Sequence, residues 1–276
     1  MASTGPASSD RRQYHIDCKK GDLSGYLLIP GDPDRLPKIT ALWDSRHEVS
    51  SRREFRSFTG KYKKVPISAL SSGIGPASMS IAVNEAINVD VHTFIRVGST
   101  AAIQEDIECG DLIISSGAVR LDGTSNCYVI PEYPAVANYE ALLALIEAAE
   151  TLQVNKYHVG ITATTNDFYA GQSRQTAVGC SSQAGNLMQA LRKAQVLNFE
   201  METAPLFTLA SLCGLRAGAV CAVFANRVKD EFKVGAGEGD AVKVANEAVK
   251  ILSEWDGRKR TRKKKWLHPS LMGKHA

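Results

Sequence analysis

One domain of α/β class, built on a largely parallel central sheet, is what the sequence predicts, on three observations. Short apolar runs alternate with stretches of helical spacing from Tyr26 to Trp255. Most of the runs stop at turn-forming residues, which is how buried strands end. The chain has 276 residues, 44% of them hydrophobic, enough to bury one substantial core.

The first strand is Tyr26 to Ile29, ended by the turn Pro30-Gly31-Asp32-Pro33, and a helix follows from Arg35 to Trp43. Ser68 to Ser71 reads as a strand, Gly73-Ile74-Gly75-Pro76 as a turn, and Ser78 to Asn88 as a helix. His92 to Val97 is the next strand, closed by Gly98-Ser99-Thr100. Leu112 to Ile114 follows Gly110-Asp111 as a further strand. Tyr139 to Leu152, rich in Ala, Leu and Glu, is a strong helix. Val159 to Thr164 and Ala217 to Ala225 are strands, and a helix beginning near Glu202 ends at Gly214. Asp240 to Trp255 is the closing helix. No internal repeat is evident.

Composition excludes several classes. No apolar run reaches membrane-spanning length, so no membrane partner is expected. Met1 to Arg12 is small, polar and then basic with no apolar stretch, so no secretory signal is expected and a cytoplasmic location follows. The six cysteines (Cys18, Cys109, Cys127, Cys180, Cys213, Cys221) contain no C-x-x-C pair and read as buried free thiols. The net charge is +4, but eight Lys and Arg lie from Arg258 onward with no acid among them. The rest of the chain then holds 25 basic against 29 acidic residues, which does not suit a nucleic-acid partner. The chain divides into a polar segment 1–14, a domain 15–256 and a basic, solvated tail 257–276.

In open α/β sheets ligands sit at the carboxyl ends of strands, and the chemistry-bearing residues cluster at such places. Gly31 lets an anion approach backbone N–H groups, and Arg35 four residues on can grip it bidentately. Arg96 precedes Gly98 and the hydroxyls of Ser99 and Thr100. Asn198-Phe199-Glu200-Met201-Glu202 places two carboxylates two residues apart, and one carboxylate can accept from both hydroxyls of a sugar diol. Phe168-Tyr169-Ala170-Gly171-Gln172-Ser173-Arg174 combines an amide, a guanidinium and an aromatic face. That set can read an N–H between two carbonyls, the hydrogen-bonding edge of uracil. Taken singly, each arginine also reads as a surface ion pair, and Glu202 as a charge at a helix start.

Together these segments resemble the nucleoside phosphorylase-I family. The matching patterns are P-G-D-P-x-R at Gly31 and Arg35, R-E-F at Arg53 and R-x-G-[ST]-[ST] at Arg96, Ser99 and Thr100. F-Y-x-G-Q-x-R at Phe168, Gln172 and Arg174, and N-x-E-M-E at Glu200, Met201 and Glu202, complete the set. The resemblance runs from about His15 to Trp255 and includes the framework segments at 119–123 and 133–136. It implies a single domain with a central mixed sheet flanked by helices. It also implies phosphorolysis of uridine, or a related pyrimidine nucleoside, to the free base and ribose 1-phosphate in pyrimidine salvage.

By the same resemblance Gly31, Arg35, Arg53, Arg96 and Ser99 would hold phosphate, with Arg53 reaching the neighbouring subunit's phosphate. His15, Thr100, Met201, Glu202 and secondarily Glu200 would hold ribose, His15 across a dimer interface. Phe168, Gln172, Arg174 and Arg227 would hold the base, and Arg96, Gln172, Arg174 and Arg227 would carry the transition state. No cofactor is required, orthophosphate being a co-substrate. Glu54, Ile74 and Ser78 match positions that hold a monovalent cation, K+, between subunits. A homodimer, or a hexamer as a trimer of dimers, is implied. The alternatives are a purine nucleoside phosphorylase or nucleosidase, and a catalytically silent binding subunit. Purine-cleaving relatives carry Asp where this chain has Asn226. Ala101 for Gly, Phe224-Ala225 for two aliphatics and Ala170 for Pro depart from the pattern around the base.

Overall fold

The structure, a computed structural model, describes residues 12–179 and 186–272. Most of the polar segment 1–14, together with Cys180 and Lys274, lies outside the described residues. The strands are β1 (Tyr26–Ile29), β2 (Ser45–Arg52), β3 (Phe55–Tyr62), β4 (Val65–Leu70), β5 (Thr93–Ala102) and β6 (Leu112–Leu121). They continue as β7 (Ala135–Val136), β8 (Tyr157–Thr165), β9 (Val196–Glu200), β10 (Arg216–Asn226) and β11 (Glu231–Phe232). The helices are α1 (Arg35–Thr40), α2 (Pro76–Asn88), α3 (Tyr139–Thr151), α4 (Leu187–Lys193), α5 (Thr203–Leu212), α6 (Glu238–Thr261) and α7 (Pro269–Met272).

The sheet is mixed. β1 pairs in parallel with β4 and β5, β5 with β10, and β8 with β6 and β9. β10–β6, β5–β9 and the β2–β3–β4 meander are antiparallel, so the largely parallel sheet expected from simple alternation is not what forms. The cause is topological. β5, β10, β6, β8 and β9 pair in a closed ring, and a ring containing both directions needs two antiparallel seams.

Helices cover both faces. Leu28 of β1 packs with α1, α3 and α6, while its neighbours Leu27 and Ile29 pack with α2 and α5, because successive side chains leave opposite faces of a strand. Helix α3 starts on Asn138, whose side chain accepts from the N–H groups of Glu140 and Ala141. The β2–β3 and β3–β4 turns are two residues each. Arg53, Lys63 and Lys64 there take positive φ of 54°, 47° and 71° without a glycine, and β2 and β3 therefore leave no turn signal in the sequence. Strand β5 runs through Gly98 to Ala102 rather than ending at Val97. A Cβ on Gly98 would lie 2.6 Å from Cys221 Sγ and 2.8 Å from Arg96 Nη2, so that glycine makes room for the folded-back Arg96 side chain.

Helix α6 passes unbroken across position 257, and Leu267 and Leu271 beyond it are buried against the core. The basic residues 262–265 are exposed. Of the described cysteines, Cys18 and Cys221 are buried, whereas Cys127 and Cys213 are exposed, contrary to expectation. Cys127 lies on a surface turn and Cys213 caps the end of α5, where no core is available.

At the start of β5 and β10 a cluster of charges ties the helices to the sheet. Arg216 donates to Glu140 at 3.0 Å and to Asp256 at 2.6 Å, Lys259 reaches Glu140 at 2.5 Å, and Tyr26 Oη donates to Asp256 at 2.5 Å. Burial alone would raise the Asp256 carboxyl, but Arg216 and Tyr26 hold it well below the usual range. Arg216→Ala is expected to cost about 3–5 kcal/mol by chemical denaturation, because it strands two carboxylates on Lys259. The stabilisation that Asp256 contributes is full above its unfolded value of 3.8 and is lost as pH falls further. The wild-type advantage should therefore shrink in acid, and a pH-independent difference would refute this assignment.

Candidate active site

One cavity of about 660 Å³ opens over the carboxyl half of β5 and the ends of β9 and β10. Its walls include Gly31, Arg35, Arg96, Ser99 and Thr100 from the first half of the chain, and Phe168, Gln172, Arg174, Glu200, Met201 and Glu202 from the second. The side chains of Glu54 and Ile74 also border it. His15, Arg53, Ser78 and Arg227 do not line it.

Arg96 is the centre of the polar end. Its Nε donates to Glu200 at 3.0 Å and its Nη2 reaches Glu202 at 2.6 Å, with the side chain only 3% exposed. Its Nη1 is buried with no hydrogen-bond partner among the described residues, a donor aimed at no protein acceptor. Burial opposes the guanidinium charge, but Glu202 and Glu200 outweigh it and hold Arg96 more firmly protonated. Glu202 experiences the reverse. Burial raises its carboxyl above the ordinary value and the nearby Glu200 adds to that, against the pull of Arg96. Its other oxygen accepts the Gly75 N–H at 2.5 Å, at the start of α2.

The two glutamates differ in what remains open. Glu200 accepts from Arg96, from the amides of Glu202 and Thr203 at 2.8 and 2.9 Å, and from the Thr164 hydroxyl. It thus satisfies the first amides of α5 while orienting Arg96. The helix expected to begin near Glu202 is α5: Glu200 ends β9, and Glu202 occupies the N-cap position of α5. Thr100 is likewise engaged, donating to Phe199 O at 2.6 Å and accepting from Asn198 Nδ2 at 2.6 Å.

Arg35, on α1, donates through Nε to Glu238 at 2.8 Å and through Nη1 to Val97 O at 2.9 Å. Glu238 stands some two hundred residues away in sequence and gives no local signal of this contact. Beside Phe168, a 3-10 turn over Ala170–Gln172 followed by Ser173 at φ 56° presents Gln172 and Arg174 to the cavity. The Arg174 guanidinium lies 4.2 Å from the Phe168 ring centroid, so one face of that ring carries Arg174. Arg227 donates to the carbonyls of Gln172 at 2.9 Å and Ser173 at 3.4 Å, and holds the turn from behind. Burial, then the proximity of Arg227, lowers the Arg174 pKa, and burial lowers that of Arg227, so two guanidinium groups stand close together behind this wall of the cavity.

Phe224 is the residue skipped where β10 pairs with β5, between Val223 opposite Thr100 and Ala225 opposite Ala101. Phe224 lines the cavity, where the resemblance placed it beside the base, and the bulge that sets it there has no local sequence signal. Phe232 of β11 also lines the cavity and had no signal of its own. Cys221 sits under Arg96, and burial pushes its thiol up to about 11, which makes it inert packing.

Asn226 is buried and fully used. Its amide N–H₂ donates to Gln104 O at 2.9 Å and Ile107 O at 2.7 Å, and its oxygen accepts from Val228 and Lys229 N–H. An aspartate would set a carboxylate oxygen against two carbonyls. Asn226→Asp is therefore expected to destabilise the protein by about 1–3 kcal/mol, and an unchanged melting temperature at neutral pH would refute it.

The sequence matches the family described as the phosphorylase superfamily over residues 26–254. It is 57% identical to a uridine phosphorylase of Thermococcus kodakarensis over 269 residues, 97% of this chain and 96% of the relative. A uridine phosphorylase of Escherichia coli is 39% identical over 247 residues, covering 87% and 97%. A guanosine phosphorylase of Halorubrum lacusprofundi is 37% identical over 217 residues, covering 79% and 85%.

Proposed function

The chain belongs to the phosphorylase superfamily, and from that premise we propose how its cavity cleaves uridine with orthophosphate. In this reading it releases uracil and ribose 1-phosphate, in line with the uridine phosphorylases it resembles. The observation that carries the reading is the buried, unpartnered Nη1 of Arg96 in the same cavity as Glu202 and the Gln172–Arg174 turn.

Phosphate docks against Gly31, Arg35, Arg96 and Ser99. Arg96 offers the spare donor, and the glycine lets backbone approach the anion. Ribose lies between phosphate and base with its 2′,3′-diol donating to Glu202, while Met201 and Thr100 line its sides. Glu200, with its oxygens occupied, positions Arg96. Uracil meets Gln172 and Arg174 beside Phe168, and Arg227 keeps that turn in place. A phosphate oxygen forms the bond to C1′ as the C1′–N1 bond breaks, and the electron pair departs on the uracil ring. The dianion stabilises the cationic sugar, the Arg174 guanidinium stabilises the departing base, and the base later takes a proton from water.

Partner subunits complete the proposal. His15 and Arg53 lie outside their own chain's cavity, which is what residues lent to a neighbour require, and His15 Nδ1 is held at 2.6 Å from Glu85. A homodimer, or a hexamer of three dimers, would join the sites. A monovalent cation such as K+ would bind hard oxygens of Glu54, Ile74 and Ser78. Their chemistry fits, since Ser78 Oγ lies 2.9 Å from Ile74 O, and a two-fold axis would double the oxygen set. Among the described residues no helix is long and apolar enough to cross a membrane. Cytoplasmic pyrimidine salvage is the setting this reading fits.

Incubation with uridine, with and without phosphate, tests the reaction. Uracil should appear only with phosphate. Release without phosphate would mean hydrolysis, and no release from any nucleoside would overturn the enzymatic reading.

A further inference from the structure

We propose that Glu238 is a positioning residue for phosphate, acting through Arg35, and this rests on the reading that Arg35 grips the phosphate. Glu238 is the first residue of α6, and both its oxygens are engaged. Oε1 accepts from Arg35 Nε at 2.8 Å, and Oε2 meets Lys38 Nζ at 2.5 Å. Val97 O takes Arg35 Nη1 at 2.9 Å, one residue beyond Arg96 on β5. The guanidinium is thereby fixed through Nε and Nη1 and is 5% exposed, and Arg35 lines the cavity. An arginine recognises phosphate through a planar fork, so its orientation matters as much as its charge.

Glu238 has little latitude of its own. The preceding Gly237 takes φ 70°, and a Cβ there would fall 2.3 Å from Gly110 O, so the start of α6 is seated against backbone. Arg35 and Lys38 pull the Glu238 carboxyl below its ordinary range despite burial, so it is ionised at neutral pH. Its charge therefore acts against an approaching dianion. A carboxylate here weakens phosphate binding by simple electrostatics and strengthens it only by orienting Arg35. These two effects predict opposite results.

Glu238→Gln removes the charge and presents an amide that cannot accept from Arg35 and Lys38 together. Positioning predicts that the phosphate KM rises on the order of ten- to a hundredfold, as misplacement of a binding group does. The uridine KM should stay within about twofold, a split that general loss of structure would not produce. A phosphate KM that is unchanged or lower would overturn the proposal. Arg35→Ala, measured in parallel, separates the two layers. If it leaves the phosphate KM unchanged, the reading of Arg35 fails; if it raises that KM and Glu238→Gln does not, only the role of Glu238 fails. Should Glu238→Gln fold poorly, Lys38→Met relieves Glu238 of its second partner and leaves the Arg35 contact in place. It should leave the phosphate KM within about threefold, and a rise as large as that of Arg35→Ala would refute the route through Arg35.

Discussion

Arg174→Ala is expected to lower kcat for uridine phosphorolysis by on the order of 10²–10³, the usual cost of removing one donor aimed at developing negative charge. The charge in question is that of the departing uracil, spread over its two carbonyls and N3. Arg174 is held for this task by the Phe168 face at 4.2 Å and by a turn that Arg227 secures through two carbonyls. The proposed phosphate ligands lie on other segments, so the phosphate KM should hold. A nucleoside with a more acidic base, such as 5-fluorouridine, needs less help in leaving and should show a smaller deficit. Equal deficits for uridine and 5-fluorouridine would mean that Arg174 acts in binding alone. Unchanged kinetics with uridine would remove it from the mechanism.

Glu202→Gln should move activity and stability in opposite directions. One of the two charge-assisted hydrogen bonds proposed for the ribose diol would be lost, at about 1.5–3 kcal/mol, so kcat/KM should fall roughly 10²-fold. The ligand-free protein should meanwhile gain thermal stability at neutral pH. Glu202 is buried beside Glu200 and shares Arg96 with it, and its carboxyl is raised above 4.5. A raised carboxyl binds its proton more tightly in the folded state. Its stabilising contribution is therefore full below 4.5 and is lost as pH rises through the folded value. The melting-temperature advantage of Glu202→Gln over wild type should accordingly grow as pH is raised from about 4.5. An advantage that shrinks over that range would show that Arg96, not burial, dominates Glu202. This opposition is what a site selected for ligand rather than for its own stability produces.

Much of the cavity was legible in the chain because its residues sit where strands stop. Gly31-Asp32-Pro33-Asp34-Arg35, Arg96 to Thr100, the Gln172–Arg174 run and Glu202 are each short segments whose side-chain types already suit an anion, a diol or a heterocycle. The structure brings them to one cavity. What was not legible depends on distant partners. The amide of Asn226 reads in sequence as the absence of a purine-protonating acid, but in the fold it holds four backbone groups and faces none of the cavity. Glu200 reads as a second sugar ligand, yet Thr164 and the α5 amides occupy it.

By itself the sequence determined the α/β class, the order of the main elements and the residue types gathered at the site. Apolar periodicity and turn chemistry are local properties that act within a few residues. Tertiary structure alone decided the closure of the strands into a ring, the β2–β3 hairpin turning on Arg53, the bulge at Phe224 and the Glu238–Arg35 contact. Each of these is set by hydrogen bonds or charges between segments far apart in the chain. Their strength depends on burial and distance, which no local pattern of residues encodes.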